Sequence, residues 1–91
     1  MERSTAKPAL VSAQIRAARA LIRWSAEDLA RASSVGLTTI RRAELTDRQT
    51  SLTAANDLAI RNALEAAGIE FITGNGGGAG VRFRDPRKGP G

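Results

Sequence analysis

Trp24-Ser25-Ala26-Glu27-Asp28-Leu29-Ala30-Arg31-Ala32-Ser33-Ser34-Val35-Gly36-Leu37-Thr38-Thr39-Ile40-Arg41-Arg42-Ala43-Glu44 reads as two short helices around a tight turn. Its start signal is Ser25, a hydroxyl N-cap three residues ahead of the carboxylate of Asp28. That spacing lets the two residues satisfy each other's backbone N–H groups as in a capping box, with Asp in place of the usual Glu. Trp24 and Leu29 fall at the two positions of a hydrophobic staple. A helix is therefore predicted over 26–33. Ser33-Ser34-Val35-Gly36 interrupts it with turn-forming residues around one apolar anchor, and helical spacing resumes through Ile40 and Ala43 over 37–44.

Toward the N-terminus, Ser12 reads as an N-cap, and Ile15, Ala18 and Ile22 follow on one apolar face of a helix reaching Arg23. Arg16 and Arg23 lie away from that face. Residues 1–11 have no sustained period and contain Pro8, so a mobile arm is expected. Toward the C-terminus, the polar run 45–50 is a loop before a fourth helix that begins at 51–53 and carries Ile60, Leu64 and Ala67 on its apolar line. Gly68 suits the left-handed position after its last turn, with Ile69 placed to touch Leu64. Ile69-Glu70-Phe71-Ile72 and Val81-Arg82-Phe83-Arg84 then alternate as strands around a glycine-rich loop. The organisation expected is a mainly α domain of four helices over 12–68, a β-hairpin over 69–84 and a disordered basic tail over 85–91.

Composition narrows the function classes. With no Cys and no His, disulfides, thiolate metal sites, Cys nucleophiles and the commonest general base are excluded. No apolar run approaches the roughly 18 residues of a membrane span, and residues 1–10 carry Glu2, Arg3, Lys7 and Pro8 where a signal peptide needs an apolar core. A cytoplasmic protein is expected. The net charge of +5 points to an anionic partner, and it is unevenly placed. Residues 14–45 hold six Arg against Glu27, Asp28 and Glu44, residues 71–91 are also basic, and 46–70 is acidic.

The stretch from Trp24 to Glu44 resembles the helix-turn-helix of the Xre or lambda-repressor-like family, and the likeness extends back to Ser12 and forward to Ala67. Leu29-Ala30, Val35, Ile40 and Glu44 fall on its pattern positions. The resemblance implies a homodimeric transcription regulator, such as a repressor, that binds double-stranded operator DNA and inserts helix 37–44 into the major groove. It implies that Leu37, Thr38, Arg41 and Arg42 face base edges or nearby phosphates, and that Ser25 and Thr39 sit near the DNA backbone. Arg can grip guanine O6 and N7 with both arms of its fork, and Thr can hydrogen-bond several bases or offer its methyl group to thymine. It also implies that Arg19 of the first helix pairs with Glu44. Ser34, Gly36 and Ala26 stand where the family commonly has Gly, Ser or Thr, and Gln. These departures support a second reading, a protein-interaction module of antiactivator or antitoxin type that keeps the fold but binds protein.

Other chemistries find less support. Gly74-Asn75-Gly76-Gly77-Gly78-Ala79 satisfies a permissive dinucleotide fingerprint, but a strand follows it where a phosphate site needs a helix N-terminus. Glu27 and Asp28 favour a helix dipole and have no evident catalytic partner, so no enzyme is expected and no cofactor or metal is implied. Trp24, Phe71 and Phe83 are too dispersed for a single-strand stacking platform. Alternation places Ile69, Phe71, Val81 and Phe83 on one face of the hairpin, whose free strand edge is one candidate dimer contact; the fourth helix is the other.

Overall fold

Four helices, α1 (Ser12–Ile22), α2 (Ala26–Ser33), α3 (Leu37–Glu44) and α4 (Ala54–Ala66), precede a two-stranded antiparallel sheet of β1 (Ile69–Ile72) and β2 (Gly80–Phe83) in the computed structural model, which describes residues 8–46, 48–74 and 76–88. The chain is mainly α with a C-terminal hairpin, as the periodicity predicts, and α2 and α3 have the predicted bounds. Leu10, Ile15, Leu29, Ile40, Ile60, Leu64 and Ile69 are all essentially inaccessible, so every helix and β1 contribute to one core. α2 packs on α3 and α4, α1 on α3 and β2, and β1 on α4. The hairpin is thereby a wall of the core.

The start of α1 differs from the sequence reading. Val11 is the N-cap and Ser12 the first helical residue; the Val11 N–H donates to Gln14 Oε1 at 3.0 Å. The Ser12 hydroxyl is buried and donates instead to the Ala43 carbonyl at the far end of α3. A Ser favours helix starts because its oxygen reaches nearby N–H groups, but here a tertiary acceptor takes it and Gln14 serves the cap.

The expected mobile arm also changes. Leu10 enters the core, its N–H donates to Asp57 Oδ2 at 2.9 Å, and Val11 bridges Gln49. Arg61 of α4 donates to the Pro8 carbonyl at 2.5 Å, lies 3.8 Å from Asp57 and stacks 5.4 Å from the Phe71 ring centre. Burying this guanidinium is tolerable because a carbonyl, a carboxylate and an aromatic face compensate it. Residues 1–7, the remainder of that arm, lie outside the described residues. So do 89–91 of the expected tail, whose start forms a 3-10 turn over Pro86–Lys88 beside an Asp85–Arg87 ion pair.

Thr53 caps α4 by accepting from the Asn56 N–H at 3.1 Å, and Gly68 follows the helix with φ 106°, as a left-handed ending requires. In the hairpin, Ile69 pairs with Phe83, Glu70 with Arg82, Phe71 with Val81 and Ile72 with Gly80. Glu70 and Arg82 form a 3.0 Å ion pair on the outer face, while Ile69 is buried and Phe71 and Val81 pack against the core. β2 begins one residue earlier than its alternation suggests, because Gly80 has no side chain to register in the pattern. The buried Gln14 amide fixes the loop end of the sheet by donating to the carbonyls of Ile72 at 3.3 Å and Gly80 at 3.1 Å.

Candidate nucleic-acid interface

The turn between α2 and α3 sets the geometry of the candidate surface. At the start of α2, Asp28 N–H donates to Ser25 Oγ at 3.0 Å and Ser25 N–H donates to Asp28 Oδ2 at 2.9 Å, so the predicted capping box is formed. These bonds from Ser25, backbone first, hold the Asp28 carboxyl below its ordinary range. Trp24 is half-buried against the core, consistent with packing in place of base stacking. At the other end, Ser34 takes the left-handed conformation with φ 62°, and its N–H donates to the Ala30 carbonyl at 2.9 Å. A Cβ is unfavourable there, and no side-chain bond of Ser34 offsets it among the described residues. Ser34→Gly is expected to raise stability by about 0.5–1 kcal/mol in urea unfolding, since relief of the strain exceeds the added flexibility of the unfolded chain. A loss of stability would show that the left-handed turn is not the native one.

α3 is clamped from behind by α1. The Ser12 hydroxyl and Arg16 Nη1 donate to the carbonyls of Ala43 and Glu44, groups that a helix C-terminus otherwise leaves unsatisfied. Arg19 grips the Glu44 carboxylate with both arms, Nε to Oε2 at 2.7 Å and Nη2 to Oε1 at 2.8 Å, and its third nitrogen donates to the Trp24 carbonyl at 2.9 Å. The hydrogen bond to Glu44, more than burial opposes it, raises the guanidinium pKa further. Arg19 thus joins α1, the approach to α2 and the end of α3. Ser12, Arg16 and Arg19, spaced i, i+4, i+7, form a polar stripe beside the apolar one on α1. Local sequence preference does not mark Ser12 or Arg16 for this task; their spacing is the signal that does.

With Ile40, Ala43 and Glu44 buried, the opposite side of α3 faces solvent. Of the residues expected to meet DNA, Thr38, Arg41 and Arg42 are exposed there, and Leu37 and Thr39 are half-buried. Ser25 is exposed at the α2 N-terminus, its hydroxyl oxygen engaged by the cap. Leu45 extends the open face at 82% exposure. Gly36 precedes α3 with no side-chain cap, so its first turn presents backbone N–H groups. A Cβ at Gly36 would meet only Thr39 Oγ1 at 3.9 Å, an ordinary contact, so sterics do not demand glycine.

Arg41 and Arg42 differ in their surroundings. Arg41 Nη2 donates to Glu27 Oε2 at 3.0 Å, linking the two helices across the turn. Arg42 has no ion-pair partner among the described residues. The Glu27 carboxyl is held below its ordinary range by its own backbone N–H first, against desolvation, with the nearby Arg41 charge adding to the effect. No family model matches this chain, and neither a curated protein nor a solved structure does.

Proposed function

We propose that the chain is a sequence-specific regulator of transcription that binds double-stranded DNA as a homodimer on a lambda-repressor-like scaffold, reading the major groove with α3. One observation carries this reading: α3 is fixed by Ser12, Arg16 and Arg19 on its buried side while Thr38, Arg41 and Arg42 stand together on its open side, next to the start of α2. A rigidly held helix with donors on its free face suits base-edge recognition, and the uncapped first turn suits a phosphate oxygen. The excess of Arg over acids in this half of the chain adds the sequence-independent attraction on which such proteins depend.

Within this reading Arg42 is the base-reading side chain and Ser25 and Thr39 lie toward the sugar-phosphate backbone. The test is equilibrium binding of the full chain to the DNA upstream of its own gene and to a random duplex. Arg42→Ala is expected to lower discrimination by about 1–3 kcal/mol, the range for loss of a bidentate guanine contact. Equal losses on both duplexes would assign Arg42 to phosphate, and absence of binding to either at low salt would remove the function.

A further inference from the structure

Glu27 is a carboxylate on the surface proposed to meet a polyanion, where an acidic side chain opposes binding unless it does something else. Its position is specific. It stands in the first turn of α2, half-exposed, with Oε2 3.0 Å from Nη2 of Arg41, which is itself 59% exposed. The two residues are fourteen apart in sequence and on different helices, so the contact follows from the tight turn and not from neighbouring positions on one helix. Arg31, the other cation near this turn, is occupied by Asp28 at 2.5 Å. Arg41 is therefore the cation of α3 that the α2 carboxylates reach, whereas Arg42 has no such partner among the described residues.

An unrestrained arginine beside an approaching duplex grips whichever phosphate is nearest, which raises affinity for every sequence alike. Resting on the DNA-binding reading above, we infer that Glu27 is a positioning residue that holds Arg41 against α2 and so withholds it from sequence-independent phosphate contacts. The Glu27 contact engages Nη2 of the guanidinium and draws the side chain toward α2. Exposed pairs of this kind are weak, so an operator that offers Arg41 a well-placed base edge can still recruit it. Random DNA gains less from doing so.

The experiment is a salt titration of the full chain on a short random-sequence duplex, followed by fluorescence anisotropy, with wild type, Glu27→Gln, Arg41→Gln and the double variant. Each phosphate neutralised steepens the dependence of log K on log salt by about 0.9. Glu27→Gln is expected to steepen it by about that amount and to tighten low-salt binding several-fold. Arg41→Gln supplies the reference slope of a face that lacks this cation. The double variant should match Arg41→Gln alone, because the side chain that Glu27→Gln would release is then gone. If Glu27→Gln leaves the slope unaltered, or the double variant keeps the steepening, Glu27 does not act through Arg41 and the inference is overturned. If the wild type fails to bind at any salt, the DNA-binding reading itself falls, an outcome distinct from either. Thermal unfolding of Glu27→Gln should stay within a few degrees of wild type; a large drop would show a structural role and also overturn the inference.

Discussion

Arg19→Met is expected to destabilise the chain by about 3–5 kcal/mol, a large part of what a domain of this size has. The side chain makes three hydrogen bonds, two to Glu44 and one to the Trp24 carbonyl, and its removal leaves a carboxylate that is only 9% exposed without a partner. Glu44→Ala should cost less. It strands Arg19, which is 22% exposed, keeps the Trp24 carbonyl and can turn partly toward water. In thermal unfolding the Arg19 variant should lose on the order of 15–30 °C. The double variant should be less damaged than the two single losses added together, because neither charge is then stranded. Strict additivity would show that the fork is not a coupled pair. If α3 reads DNA as proposed, the variants should also lose that binding, since the same clamp orients α3.

The sequence shows local signals well and distant ones poorly. The Ser25 and Asp28 cap is three residues wide, so α2 could be bounded from the residues alone, and the turn chemistry of Ser33 to Gly36 bounded α3. The apolar alternation of Ile69, Phe71 and Val81 likewise marks the hairpin and its inward face, whereas Phe83, paired with Ile69, is half-buried and lies outside the core cluster. Ser12 misled because its local preference, to cap a helix, is overridden by an acceptor thirty-one residues away. Leu10 and Pro8 read as an arm because the groups that anchor them, Asp57 and Arg61, come from α4 and resemble solvent-facing charges in sequence. Gln14 has no sequence signature as the bridge between α1 and the sheet, since its acceptors are main-chain carbonyls of residues fifty-eight and sixty-six positions on. On the candidate interface, the exposed set Thr38, Arg41 and Arg42 follows from helical periodicity, but the Glu27 partner of Arg41 required the turn angle.

A chain truncated after Gly68 is expected to lose cooperative folding, and this bears on how the proposed dimer would form. The truncation removes Ile69, which is fully buried, together with Phe71 and Val81, which cover the core. Burial of each large apolar side chain contributes about 1.5–3 kcal/mol, so the loss approaches the total stability available to a domain of this length. It also takes away the Ile72 and Gly80 carbonyls that satisfy the buried Gln14 amide and the ring against which Arg61 stacks. Circular dichroism of the truncated chain should show reduced helix and a broad melt without a sharp transition. A cooperative transition near the full-length temperature would mean that the helices close a core unaided. Because Ile69, Phe71 and Val81 already pack against the core, a hairpin-mediated homodimer would have to use what that packing leaves, such as the half-buried Phe83 and the backbone edges of two four-residue strands. Edge pairing alone is weak for strands this short, so such a dimer would dissociate at low protein concentration and be held together chiefly when both copies sit on adjacent half-sites of one duplex.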